Sequence, residues 1–481
     1  MLRNYKNVWL QYCIIALILL FFVGIYQKQS IRFFWLDEIT TLDIATISPA
    51  SEIVFMSKIK TGQPALFYLA GHYWIELSQS TQPQVLRLLP FVFFLGSILV
   101  ILWNIKESLV SMLLLFVFTA QASFSEYLLS EFRPYSLSFF LYSLAFTRLR
   151  KISSPILSNY TITTLILLLF SATLSLNIPL GIMSFLLLSF LVFAQIKLNQ
   201  NIANRIGFSL LFTIFLSSFI YLLYYMFQHD PRILPFDSRK YAQTLSEAYY
   251  LIRRDMLNNK NLELLGLALA FLYFKVKKLE KSHLILLSFL FIVSIYQIFF
   301  PTYVLYNRID GYSTRYAHLI FLIFPLILIT LSDLIETPDS KSNPIWQSLL
   351  ILSLFFYFSF KLYNNAEVPK DLNGERSEWL AMFKQTRCSA DKTLILLDPP
   401  FIDRIGKYHF KLSKNPLPYF QSLTNRVFKS ESMECVFIVS INKISEDSIR
   451  LLNSEGFSLV EISAVDMYWP QDINYIAYLK K

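Results

Sequence analysis

The chain has 481 residues, of which 55 % are hydrophobic and only 16 % charged, with a formal net charge of +10 at pH 7. Its mean hydropathy is +0.47, too apolar a surface supply for a water-soluble globule, which excludes a cytosolic enzyme, a disordered scaffold and a nucleic-acid binder. The basic excess instead suits the cytoplasmic loops of an integral membrane protein.

In chain order, the first apolar run covers residues 8–26, preceded by Arg3 and Lys6. It is long enough to cross the ~30 Å hydrocarbon layer, and no small-residue cleavage site follows it, so it reads as an uncleaved anchor. A long outer loop over 28–84 contains a short apolar stretch, 64–77, that reads as a re-entrant or interfacial helix. Further spans are predicted near 85–104, 109–124, 135–147, 161–177, 179–196, 206–227, 262–276, 283–300, 316–333 and 345–362. That makes about eleven, two either way. Lys106, Arg148, Arg150, Lys151, Lys197, Arg205, Lys275, Lys277, Lys278 and Lys281 fall in alternate short loops. Short basic loops stay cytoplasmic, which places the N-terminus inside and the C-terminal tail outside.

From about residue 364 the hydropathy drops. TLILLD (393–398), CVFIVSI (435–441), FSLVEIS (457–463) and INYIAYL (473–479) read as strands, and a helix is predicted from a Ser445 cap to Gly456. The fold class is therefore mainly α. A polytopic helix bundle over 1–363 carries a small extracytoplasmic α/β domain over 364–481. Of the three cysteines, Cys388 and Cys435 fall in that domain. If the sheet is parallel their strand ends lie close, so either a bridge in an oxidising compartment or two free thiols is open.

Several charged residues stand where charge is costly. Asp37 and Glu38 follow Phe33, Phe34, Trp35 and Leu36 at the membrane surface. Either one lines a cavity, or both are acids in the first turn of a helix, where the dipole favours them. Between Arg133 and Arg148 lie about fourteen residues, near 21 Å of helix, less than a bilayer core. Arg133 is thus expected below the outer surface, facing a cavity or pairing with Glu126 or Glu131. Arg315 and His318, three residues apart, share a helix face at the start of a late span, and Arg87 opens an earlier one; a snorkelling arginine is the plain reading of both. His72, His229 and His318 show no metal-site spacing.

The ordered parts resemble the lipid-linked-sugar glycosyltransferases of GT-C fold, the group containing protein O-mannosyltransferases and the aminoarabinose transferase of lipid A. They are the Asp37–Glu38 pair after the first span, then GQPALFYLAGHYW, then Arg87-Leu88-Leu89-Pro90, then Arg133-Pro134-Tyr135, then Arg315-Tyr316. Many members have His-Pro-Pro where this chain has Gln63, Pro64 and Ala65.

The resemblance implies an inverting transferase that moves a sugar from a polyprenyl phosphate to an acceptor hydroxyl on a lipid, glycan or protein, at the outer face of the inner or plasma membrane. It implies Asp37 as general base with Glu38 positioning it, or the reverse. Arg133 and Arg315, with Tyr135, Tyr316 and Arg87, would bind the donor phosphate, and Gln63, His72 and His318 are candidate substrate contacts. No cofactor is assigned; a divalent metal ion held by the acids occurs in some relatives, and the sequence offers no further clear ligand. Membrane lipid is the other expected partner. Two alternatives stand beside it: a glycan polymerase or ligase using the 228–261 loop, and a transporter or flippase that only moves the lipid-linked sugar.

Overall fold

The computed structural model describes residues 2–30, 34, 36–61, 63–106, 131–149, 388–398, 418–423, 432–440, 444–466 and 473–481, with isolated residues between 111 and 129 and between 164 and 246. The chain divides into two compact units, one of Met1–Ser30 with Ile44–Asn365, the other of Ile31–Asp43 with Ala366–Lys481.

In the first unit, the apolar N-terminal run forms α1, Leu2–Ser30. After it come α2, Leu36–Ala45, which runs across the division between the units, and α3, Ala50–Thr61. The stretch expected as a short interfacial helix is α4, Leu66–Ser78, stopped where Gln79 turns into the left-handed region at φ 48°. The helix α5, Pro83–Ile105, begins on a proline, whose fixed φ suits a first turn and whose missing N–H costs nothing there. The last of this unit's described helices is α6, Tyr135–Leu149. Among the described residues α5 is the one helix long and apolar enough to cross a membrane, while Gln11–Gln27 and Tyr135–Ala145 are shorter apolar stretches. Apart from isolated residues within 161–177 and 206–227, the spans expected from residue 161 onward, and most of 109–124, lie outside the described residues.

Aromatic side chains lock these helices together. Tyr26 of α1 stacks on Phe91 of α5 at 4.2 Å, and its hydroxyl donates to Gln84 O at 2.7 Å. Phe22 meets Phe94 edge-on at 5.0 Å, and Phe94 in turn stacks near Phe139 of α6 at 6.2 Å. Gly96 allows α6 to come close: a Cβ there would stand 2.8 Å from Phe140. Trp74 ties α4 to α5 by donating its indole N–H to Val85 O at 2.9 Å.

In the second unit five strands form one sheet in the order β2-β1-β3-β5-β4, where β1 is Thr393–Asp398, β2 Tyr419–Ser422, β3 Cys435–Ser440, β4 Ser458–Asp466 and β5 Ile473–Lys480. The first three run parallel, and β5 joins β3 and β4 antiparallel. The helix α7, Glu446–Ser454, starts as expected on Ser445, whose Oγ accepts from Ser448 N, and is followed by Gly456 at φ 88°. Its Leu452 packs with Phe457 onto Leu394, Leu396, Val436, Ile438 and Leu479, which alternate along their strands to face it.

The β1–β3 register sets Thr393 opposite Cys435, which brings Cys388, just before β1, into a disulfide with Cys435 at a Cα separation of 6.3 Å. Lys392 and Glu434 pair beside it, and Glu434 holds the Lys392 ammonium above its usual range. Both side chains are half-exposed, so the disulfide is the stronger clamp on this corner of the sheet. Peptide mapping without reduction is expected to recover Cys388 and Cys435 joined, and Cys388→Ser to lower the stability of this domain by about 2–4 kcal/mol. Alkylation of both thiols in unreduced protein would rule the bridge out.

Candidate functional site

The two acids lie in the first turn of α2. That is the dipole-favoured position, and it also puts neighbouring carboxylates about 100° apart around the helix. Glu38 is fully buried, as are Thr41, Ile44 and Ala45 of the same helix. The side chain of Asp37 lies outside the described residues. A buried carboxylate costs several kcal/mol of order unless partners surround it, so Glu38 is held and is no surface acid.

In the first unit, two arginines are buried among the described residues, Arg87 at 2 % exposure and Arg133 at 6 %. Arg87 therefore does not snorkel at the rim of α5. It turns inward and donates from Nη1 to Ser30 O at 3.1 Å, which satisfies the carbonyl of the last residue of α1. Arg133 sits in the turn before α6, its guanidinium carbon 5.6 Å from the centre of the Tyr135 ring and its Nη2 3.5 Å from the Tyr135 hydroxyl. Its backbone N–H bonds Glu131 O at 2.7 Å, and Glu131 is itself buried. The sequence argument from helix length, that Arg133 cannot reach bulk water, agrees with this burial.

The α4 helix comes to the same place. Phe67 lies 5.5 Å from Phe132, the residue before Arg133. Tyr68, fully buried, donates from its hydroxyl to Gln63 Oε1 at 2.8 Å, with Thr61 Oγ1 3.1 Å away. The Gln63 amide is thereby oriented, oxygen toward Tyr68 and NH2 away from it. His72 is buried at 8 %, with Nδ1 2.9 Å from Ala45 O and Nε2 3.3 Å from Glu76. The turn holding Arg133 and Tyr135 and the helix holding His72, with Gln63 just before it, thus share one packed region around Phe132. Arg315, Tyr316, His318 and, apart from Ser246, the 228–261 loop lie outside the described residues.

Sequence reasoning did not single out Tyr68, Thr61 or Ser136. The Ser136 hydroxyl, in the first turn of α6, is buried and makes no hydrogen bond among the described residues. Only the Ser-rich spacing after Pro134 could have drawn attention to it. Among the described residues no three His, Cys, Asp or Glu side chains converge as a metal site.

No protein-family model matches the sequence, and no curated protein matches it. The structure is similar to a crystal structure of ArnT from Cupriavidus metallidurans bound to undecaprenyl phosphate, with 10% identity and a TM-score of 0.54, over 96% of this chain and 97% of that one. It is similar as well to ArnT from the same organism in the apo state, with 11% identity and a TM-score of 0.53, over 95% and 96% of the two chains. The likeness covers nearly the whole of both proteins. It shows that this chain has the polytopic GT-C fold of ArnT.

Proposed function

We propose that the chain is an inverting glycosyltransferase that moves a sugar from a polyprenyl-phosphate donor to an acceptor hydroxyl at the outer face of the membrane. The observation that carries this reading is the likeness to the ArnT fold over 96% of the chain, with buried arginines in its described part. A donor of this kind leaves as a polyprenyl phosphate anion. A bond forms between the acceptor oxygen and the anomeric carbon as the bond from that carbon to the phosphate oxygen breaks, with inversion. The acceptor proton passes to a carboxylate, for which Asp37 is the choice, with Glu38 fixing its helix from the buried side. Arg133 and Tyr135, joined by Arg315 and Tyr316, neutralise the departing phosphate, and the buried charge of Arg87 adds to their field. Gln63 presents its oriented NH2 to the sugar or phosphate.

The Cys388–Cys435 bridge supports an extracytoplasmic C-terminal domain, because such bonds persist in oxidising compartments. The purified protein, given a polyprenyl-phosphate sugar and cell-envelope lipid, glycan or protein, is expected to release polyprenyl phosphate and yield a glycosylated acceptor by mass spectrometry. Movement of the intact lipid-linked sugar across a vesicle membrane, with no release, would refute transfer and leave a transporter.

A further inference from the structure

Ala45 ends α2, the helix whose first turn bears Asp37 and Glu38, and it is fully buried. A buried helix end leaves carbonyls that need donors. The Ala45 carbonyl finds one in His72, whose Nδ1 lies 2.9 Å away. A carbonyl oxygen only accepts, so the proton in this bond is on Nδ1 and His72 donates. The opposite ring edge faces Glu76 one turn along α4, with Nε2 3.3 Å from its carboxylate, a contact that becomes an ion pair only when the ring carries both protons.

The residue beside His72 packs against both neighbours. A Cβ on Gly71 would stand in ordinary contact with the Ala45 Cβ at 3.4 Å but only 2.9 Å from the tip of the Phe132 ring, so a side chain there would displace Phe132. Phe132 directly precedes the buried Arg133. One dipeptide of α4 therefore seats the last residue of the acid-bearing helix and the residue before the arginine.

We propose that Gly71–His72 is a positioning element of the transfer reaction: the His72 Nδ1–H, by holding Ala45 O, fixes α2 and with it the acids of its first turn. This rests on the proposed glycosyl transfer. His72 touches no reacting atom and acts through α2, which departs from the substrate contact expected of it from the sequence.

The two amide side chains each reproduce one edge of the ring, Asn the Nδ1 position and Gln the Nε2 position. In the purified full-length protein, His72→Asn is expected to keep kcat within about threefold of the parent, while His72→Gln lowers it roughly tenfold or more with donor KM unchanged. Amide hydrogen exchange over the end of α2, Thr41–Ile47, is expected to rise by about tenfold in His72→Gln and to stay at the parent level in His72→Asn. Exchange is read without turnover. If the parent transfers no sugar, the proposed function fails, and the exchange contrast alone decides whether His72 anchors α2. Equal behaviour of the two variants in exchange overturns the anchor. A raised donor KM at unchanged kcat overturns the positioning role and makes His72 a substrate contact.

Discussion

Asp37→Asn is expected to lose transfer by roughly 10²–10⁴-fold while the protein folds and inserts normally. The substitution keeps the size and shape of the side chain and removes only its ability to take a proton. Asp37 is the base in this reading because its neighbour is already committed. Glu38 is fully buried in a helix whose other buried described residues are Ile39, Thr41, Leu42, Ile44 and Ala45, which keeps it from contact with an arriving acceptor. Glu38→Gln should therefore cost activity less and stability more than Asp37→Asn. Purified protein saturated with donor, assayed beside a thermal unfolding measurement, separates the two effects. Near-normal turnover by Asp37→Asn takes Asp37 out of the mechanism, and a large loss in Glu38→Gln at unchanged melting temperature reverses the roles.

What could be read from the residues follows from how local the governing physics is. The α5 helix was legible because most of its 23 residues are apolar and it starts on Pro83, signals that need no partner. β1, β3, β4 and β5 were legible from short apolar runs between turns, and α7 from its cap and following glycine. β2, with four residues, Tyr419–Ser422, is too short to carry a period and exists because the β1 edge pairs with it. Strand order was closed to inspection for the same reason: β5, last in sequence, inserts between β3 and β4. At the site, helix length alone argued that Arg133 is buried. Arg87 was ambiguous, because whether an arginine at the start of a span points to headgroups or inward depends on an acceptor elsewhere, here Ser30 O, 57 residues away. The partner of His72 was equally hidden, since a backbone carbonyl leaves no mark in the sequence. The grouping of Ile31–Asp43 with Ala366–Lys481, rather than with the residues that follow from Ile44, is a fact of tertiary contact.

Replacing Arg133 by Lys should weaken donor binding roughly 10- to 100-fold, the equivalent of about 1.5–3 kcal/mol for hydrogen bonds made by a charged group. The charge is kept, so the expectation rests on shape. A guanidinium presents parallel N–H donors that grip two phosphate oxygens, whereas an ammonium offers a point charge. Arg133 is at 6 % exposure and close to the face of Tyr135, an arrangement that holds a planar cation in one orientation. The α6 helix that follows has 15 residues and carries Arg148 in its last turn. At 1.5 Å per residue it is about 22 Å long, so with Arg148 at the inner surface the guanidinium of Arg133 stays below the outer one. Charge at that depth is costly unless an anion compensates it, and a lipid phosphate arriving sideways in the outer leaflet is such an anion. The competing account makes Arg133 a member of the scaffold, with buried Glu131 two residues away as its counterion. Scaffold loss predicts a lower melting temperature, because a buried carboxylate deprived of its partner destabilises the fold. Arg133→Lys with weakened donor binding and an unchanged melting temperature supports the phosphate role. The reverse pattern, full donor affinity in a protein that melts earlier, assigns Arg133 to the frame and leaves the phosphate to other groups.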